Sequence, residues 1–155
     1  MFENHIAQII RFKNQLDTDF EQYAATAKAL SEQFLNEASA KGRSLQIVVS
    51  VSRDKRFRSV TIRWSKVLYR YVGDKRTSYV KHLPKGGTRP RYPDNTFSYL
   101  PAETRALALR YEYWLSMLRQ AIKANRKLAV STRANIRAFE KIQASVVAGT
   151  EQRAS

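Results

Sequence analysis

The sequence predicts an α+β fold in which a long N-terminal helix and a long C-terminal helix flank a three-stranded antiparallel β-meander. Two observations predict this fold. Apolar residues recur at helical spacing near both ends of the chain, whereas in the middle they alternate with polar residues at the spacing of strands. At 155 residues, the chain is expected to form a single domain over residues 1–147, followed by a disordered tail over 148–155.

The first helix is predicted over residues 4–41. Its apolar residues follow steps of three and four, which is a heptad seam with one polar lapse at Lys13. Gly42 favours a helix end at this point. Such a helix is about 55 Å long at about 1.5 Å per residue, so a core of this size cannot cover it alone. The apolar seam residues are Ile6, Ile9, Leu16, Phe20, Tyr23, Ala27, Leu30 and Phe34.

The central segment, residues 45–83, is predicted to form the β-meander. Its opening residues alternate between apolar and polar, as expected of a strand with one buried face. A second strand is predicted over 59–71, with a bulge near Ser65 and Lys66 because the apolar phase shifts there. A third strand is predicted over 77–83. The connections are too short for crossovers, so the strands should run antiparallel.

A connection over residues 84–99 precedes the second helix, which is predicted over 101–147. The connection is rich in glycine and proline and is long for a loop. Loops of this length are often functional or disordered. The second helix is expected to pack antiparallel on the first; the alternative is a homodimer in which the seams of two chains meet. Its seam combines polar Asn125, Thr132 and Asn135 with apolar Leu107, Tyr111, Trp114, Leu118, Ala121, Leu128, Phe139, Ile142 and Val146, and the stripe is widened by Leu115, Ile122, Ala129 and Ile136.

Basic charge is concentrated in the predicted sheet and loop. Thirteen of the 28 lysines and arginines lie within residues 53–91, where Asp54 and Asp74 are the only acids. Such a field attracts polyanions, so the expected partner is double-stranded DNA, with RNA or single-stranded nucleic acid as the alternative. A solvated charged face is the simpler interpretation. The predicted nucleic-acid-binding residues are Arg53, Lys55, Arg56, Arg58, Arg63, Lys66, Arg70, Lys75, Arg76, Lys81, Lys85, Arg89 and Arg91.

A coiled-coil scaffold that recruits a protein partner is a further alternative to nucleic-acid binding.

Two other sets of residues are candidates for the same surface. Phe57 and Tyr92 are candidates for stacking on bases, although aromatic residues at strand spacing more often pack between sheet and helices. The second helix adds basic residues for which an ordinary charged helix face is an equal interpretation. They are Arg119, Lys123, Arg126, Lys127, Arg133, Arg137 and Lys141.

No catalytic, metal or cofactor site is predicted, and the chain is expected not to be an enzyme. It has no cysteine, and its two histidines, His5 and His82, are far apart in the sequence. The acids of the basic segment occupy predicted turns, where aspartate is common. There is no secretory signal and no apolar run of membrane length, so a cytoplasmic protein without a membrane partner is expected.

Several segments taken together resemble a known family. They are Ile62-Arg63-Trp64-Ser65-Lys66, Tyr79-Val80-Lys81-His82-Leu83-Pro84-Lys85-Gly86, Tyr92-Pro93 with Phe97, and a long helix that carries Glu112. The combination is similar to MobI-type mobilisation initiation factors of conjugative plasmids and integrative elements, and the layout covers most of the chain. The resemblance implies an auxiliary protein at an origin of transfer that helps a separate relaxase to load and does not itself cut DNA.

Overall fold

The computed structural model describes residues 3–40, 42, 44–54, 56 and 58–153, with side chains up to 150. It confirms the α+β class: along the chain, one long helix precedes a three-stranded antiparallel sheet and another follows it. The second helix continues past its predicted end at residue 147. The elements are α1 (Glu3–Ser39), β1 (Ile47–Asp54), β2 (Ser59–Val72), β3 (Lys75–His82), a short 3-10 helix (Asp94–Phe97) and α2 (Ala102–Arg153).

The chain divides into two compact units, so the single domain over 1–147 stays a prediction. The first unit combines Met1–Gln22 with Lys123–Ser155. Within it, the Asn125 side-chain amide donates a 2.9 Å hydrogen bond to the carbonyl of Leu16. The rings of His5 and Phe139 meet edge to face at 4.9 Å. Because early residues of α1 contact later residues of α2, the two helices run antiparallel in this unit.

The second unit, Tyr23–Ile122, contains the sheet and the aromatic core. One face of the sheet contributes Trp64, whose side chain is fully buried. Phe34 of α1 meets the Trp64 ring edge to face at 4.8 Å and the Tyr111 ring of α2 at 5.4 Å. Phe97, from the 3-10 helix, closes on Trp64 at 5.3 Å. Aromatic contacts therefore join both helices, the sheet and the loop.

β2 is the central strand and is longer than either neighbour. Its first half pairs with β1 up to Lys66, and its second half pairs with β3 from Ser65 onward. Both registers are continuous, so the bulge predicted near these two residues is wrong. The apolar phase changes for another reason. The first half of β2 must bury one face against the helices, whereas from Tyr69 onward the strand is exposed on both faces and is free of that constraint.

The buried stripe of α2 differs from the predicted seam. Trp114 and Leu128, which the spacing placed in the seam, are 38% and 48% exposed. The stripe instead includes the polar residues Glu112 and Ser116, which are 0% and 5% exposed. Apolar periodicity correctly included Leu115, Ile122 and Ala129, which are buried, but it could not identify the polar members of the stripe. Glu112 accepts a hydrogen bond from Trp64 of β2, and the Ser116 hydroxyl donates one within its own helix.

Candidate nucleic-acid interface

The most exposed part of the sheet is a two-stranded ribbon, residues 67–82, which we call the hairpin arm. Beyond Lys66 the register pairs β2 with β3 alone, and every residue from 69 to 82 is exposed. A two-residue turn closes the arm. Gly73, at the first turn position, has φ 61°, as a type II′ turn requires, and this turn matches the twist of the flanking strands. With six residues of β2 at about 3.3 Å each, the arm is about 20 Å long.

Positive charge gathers on one face of the arm and extends to Lys66 at its base. This face continues the one that carries Trp64 and is here called the inner face. Residues directly opposite in an antiparallel pair share a face. Lys66 lies opposite Lys81, an arrangement of like charges that destabilises a sheet. Neither β2 nor β3 contains an acid that could offset it. The charged residues of the inner face are Lys66, Arg70, Lys75 and Lys81.

Two of these cations lie over tyrosine rings. The Lys66 ammonium is 4.4 Å from the centre of the Tyr99 ring, and the Arg70 guanidinium is 5.5 Å from that of Tyr79. Such contacts orient the cations without neutralising them. Their charge is therefore retained for an anionic ligand.

The opposite, outer face of the arm is less charged and more aromatic. The Arg76 guanidinium lies 4.0 Å above the Tyr69 ring, and the Tyr69 hydroxyl donates a 3.1 Å hydrogen bond to the carbonyl of Leu45. Nearer the turn, Tyr71 is 74% exposed. The sequence interpretation gave no special place to Tyr71. Two signals could have identified it as exposed: it lies an odd number of residues from buried Trp64, so it is on the opposite face of the strand, and it lies two residues before the turn glycine Gly73.

The remaining predicted sites at the β1–β2 connection are only partly described. Arg53 and Arg56 are exposed, and Arg58 is half-buried with φ 48°. The Asp54 carboxylate accepts a 2.9 Å hydrogen bond from the backbone of Arg56, a local turn bond typical of aspartate. Two predicted residues, Lys55 and Phe57, lie outside the described residues. Arg63, on β2, is exposed on the outer face.

The loop residues differ in how accessible their charges are. Arg89 is exposed, and Lys85 is half-buried. Arg91 is exposed but pairs with Asp94 at 2.9 Å. Such exposed pairs are weak, so Arg91 can exchange this partner for a phosphate at little cost.

Tyr92 lies in the core, and its predicted role in base stacking is wrong. Its side chain is 3% exposed. The hydroxyl accepts a 3.4 Å hydrogen bond from the backbone of Trp64, and the Arg119 guanidinium lies 5.1 Å from the ring centre. The ring is held between the sheet and α2, so no base can reach it.

A buried carboxylate, Glu112, explains how the loop is held against the sheet. It accepts hydrogen bonds from the indole nitrogen of Trp64 at 2.6 Å and from the backbone nitrogen of Tyr92 at 2.8 Å. Arg119 pairs with it at 2.8 Å and also donates to the carbonyls of Ile62 and Pro90. One ion pair therefore joins β2, the loop and α2.

This arrangement corrects the sequence interpretation of Arg119, which placed it on a positive helix surface. Its side chain is only 10% exposed and is engaged with Glu112. Trp64, Tyr92 and Phe97, which carried much of the family resemblance, converge on the same cluster. That part of the resemblance therefore reports the buried anchor of the fold and not the exposed interface.

One pair of side chains, Ser65 and His82, has the spacing of a catalytic pair. The Ser65 hydroxyl and the Nδ1 atom of His82 are 2.8 Å apart, a distance suited to a nucleophile and a base. Ser65, however, is 1% exposed. Its cross-strand hydrogen bond therefore serves to hold β2 and β3 together.

The described part of the chain contains neither a candidate metal site nor a candidate membrane span. Among the described residues, no group of three or more histidines, cysteines, aspartates or glutamates could hold a metal ion. No helix in the same ranges has the length and hydropathy needed to cross a membrane.

Comparison with known proteins gave a family match. The family model described as MobI protein matches residues 20–133, and it confirms the resemblance found in the sequence. No curated protein and no solved structure matches the chain. The matched range includes the whole sheet, the loop and the Glu112 anchor.

Proposed function

This chain belongs to the MobI family, and from that premise we propose that it binds double-stranded DNA at an origin of transfer and helps a separate relaxase to load. Membership indicates an accessory role in conjugative mobilisation, and the family is not a known class of enzyme. The DNA contact and the relaxase partner go beyond what family membership indicates, and they are proposed here. The observation that carries it is the cationic inner face of the hairpin arm.

The charge of this face favours a polyanion over a small ligand. Four cations lie along about 20 Å of ribbon, and Lys66 repels Lys81 directly across the strands. A row of phosphates relieves this repulsion and releases condensed counterions when it binds. The shape agrees, because two-stranded ribbons of other proteins enter the grooves of duplex DNA.

A salt titration of duplex binding tests the proposal. If the four inner-face cations each neutralise one phosphate, log K should fall with log[salt] with a slope of about −3.6. The affinity would then drop about 150-fold between about 50 and about 200 mM salt. Removing two of the charges by Lys75→Gln with Lys81→Gln should reduce the slope to about −1.8 and the drop to about 12-fold.

A matched control separates the arm from overall charge. Lys123→Gln with Lys127→Gln removes the same charge from exposed positions of α2 and should leave the slope as in the wild type. Two results contradict the proposal: wild-type affinity that is insensitive to salt, or an equal change in slope for both pairs of substitutions.

Binding of RNA or single-stranded DNA is the second candidate, and the exposed tyrosines of the arm favour it. Tyr69, Tyr71 and Tyr79 are 40%, 74% and 45% exposed, and such rings can stack on unpaired bases. Competition for one labelled duplex among unlabelled duplex, single-stranded DNA and RNA distinguishes the two functions. Displacement by the single strands at lower concentration than by the duplex would favour this second function.

A protein-interaction role is the third candidate. Tyr113, Trp114 and Met117 are 55%, 38% and 53% exposed on neighbouring positions of α2, and exposed apolar clusters often mark protein contacts. The partner could be a relaxase or a second copy of the chain. Sedimentation analysis of the wild type and of Trp114→Glu tests the second-copy form, because a dimer through this cluster should dissociate in the variant.

A further inference from the structure

The tip of the hairpin arm carries apolar side chains that are exposed to solvent. Tyr71 is 74% exposed and Val72 is 59% exposed, immediately before the turn. The other tyrosines of the arm, Tyr69 and Tyr79, each have an arginine guanidinium over the ring. Among the described residues, no ring contact or hydrogen bond involves the Tyr71 side chain. Apolar surface in water is unfavourable in proportion to its area, so these side chains gain by entering a partner.

Each apolar tip residue faces a cation across the ribbon. Val72 pairs with Lys75, and Tyr71 pairs with Arg76, so an apolar group and a positive charge lie side by side on both faces of the tip. The cations can contact phosphates while the apolar groups enter between bases. Proteins that kink DNA commonly combine an apolar wedge with flanking cations in this way.

We infer that the tip acts as a wedge: Tyr71 and Val72 insert at a base step of duplex DNA, while Lys75 and Arg76 hold the neighbouring phosphates, and the duplex bends. This inference rests on the proposed function and adds a physical consequence to it. Binding through cations alone would leave the DNA straight, whereas a wedge partly unstacks one step and kinks it.

The charge of the arm favours DNA as the occupant over a protein or a lipid surface. The arm carries Arg70, Lys75, Arg76 and Lys81, against the single acid Asp74 in the turn. Its narrow ribbon shape also suits entry into a groove. A flat anionic surface would contact one face of the ribbon and leave the apolar–cation pair of the other face unused.

Fluorescence energy transfer between dyes at the two ends of a duplex tests the wedge. The probe is a duplex of about 20 base pairs, about 68 Å long, with a central TA step that kinks easily. A kink of about 60°, within the range such wedges produce, would shorten the distance between its ends to about 59 Å. The wild-type protein should therefore increase transfer efficiency when it binds.

Substitutions at the tip separate bending from binding. Tyr71→Ser with Val72→Ser keeps every charge, so it should bind with the salt slope of the wild type but leave the ends at about 68 Å. Tyr71→Phe keeps the ring and should bend the duplex as the wild type does. Tyr113→Ser changes an aromatic residue of α2 that is also exposed and should have no effect on the distance.

The possible results distinguish this inference from the proposed function. Salt-sensitive binding without shortening, or equal shortening by the serine tip variant, overturns the wedge and leaves DNA binding in place. Failure of the wild type to bind the duplex overturns both. Tip-dependent binding to phosphatidylglycerol vesicles, without any shortening of the duplex, would assign the tip to lipid and also overturn the wedge.

Discussion

Replacing the buried carboxylate by an amide, Glu112→Gln, tests the anchor that joins the sheet, the loop and α2. Glutamine has nearly the same shape but no charge, and its NH₂ group must face one of the present donors. The carboxylate now accepts from Trp64, Tyr92 and Arg119, and it is 0% exposed. The change therefore leaves one N–H donor without an acceptor and the Arg119 guanidinium without its counter-charge.

The expected loss of stability is large for a single substitution. Breaking a buried ion pair by removing one partner costs about 3–5 kcal/mol, because the remaining charge is left in a poorly solvated site. Arg119 is only 10% exposed, so water can compensate for little of this. Against a typical free energy of unfolding of about 5–15 kcal/mol, such a loss is a substantial fraction.

Urea unfolding followed by tryptophan fluorescence measures this loss. The chain has two tryptophans, so a Trp114→Phe background makes Trp64, which contacts Glu112 directly, the reporter. Glu140→Gln, at an exposed position of α2, is the control and should change stability by less than about 0.5 kcal/mol. A loss below about 1 kcal/mol for Glu112→Gln would refute the reasoning, since the pair could not then be supporting the anchor.

Two tyrosines of the second unit, Tyr99 and Tyr111, give the remaining predictions. The Tyr99 hydroxyl is buried and has no hydrogen-bond partner among the described residues. Urea unfolding of Tyr99→Phe should therefore show a free energy of unfolding that is unchanged or higher by about 1 kcal/mol. A clear loss of stability would contradict this. The Tyr111 hydroxyl donates to Glu37 at 2.5 Å, so Tyr111→Phe should cost about 1.5–3 kcal/mol in the same assay, and an unchanged midpoint would contradict it. Burial raises the pKa of Tyr99 from 10.0 to about 12, and burial together with the bond to Glu37 does the same for Tyr111. Because the folded chain holds these protons more tightly, the stability they contribute is complete below about pH 10 and is lost as the pH rises through about 12. In a pH series of unfolding, the double phenylalanine variant should therefore lose less of its free energy of unfolding at alkaline pH than the wild type.

The elements and their order were predictable because each depends on a local pattern. Steps of three and four predicted both helices, and alternation from Leu45 onward predicted the first strand. Short connections, such as the one at Gly73, predicted antiparallel pairing. The element ends shifted by a few residues, as between 4–41 and Glu3–Ser39 for the first helix, because terminal turns depend on capping and not on periodicity.

The burial of particular residues could not be predicted in the same way. Tyr92 and Tyr71 are both tyrosines of the predicted sheet and loop, yet one is 3% and the other 74% exposed. What separates them is whether α2 packs over the residue, which is a contact between distant parts of the chain. Glu112 shows the same limit: an acid within a helix is ordinarily expected to face solvent, and only the approach of Trp64 and Arg119 makes its burial favourable.

The candidate interface was predictable in its charge but not in its geometry. The sequence identified the segment in which the cations lie, but the division of the arm into two faces depends on a register that the expected bulge would have altered. The continuous pairing sets Lys66 opposite Lys81 and Tyr71 opposite Arg76. The first pair belongs to the cationic inner face, whereas the second places an apolar ring beside a positive charge at the tip.

The outer edge of β3 has no strand beside it in the described ranges, since the strand order is β1-β2-β3. An open edge of this kind can recruit a strand from another molecule and start the growth of fibres. Lys75, Arg76 and Lys81 make such pairing between copies unfavourable through mutual repulsion. Light scattering should therefore accompany any experiment that neutralises these residues, because self-association can remove protein from solution and imitate a loss of affinity for DNA.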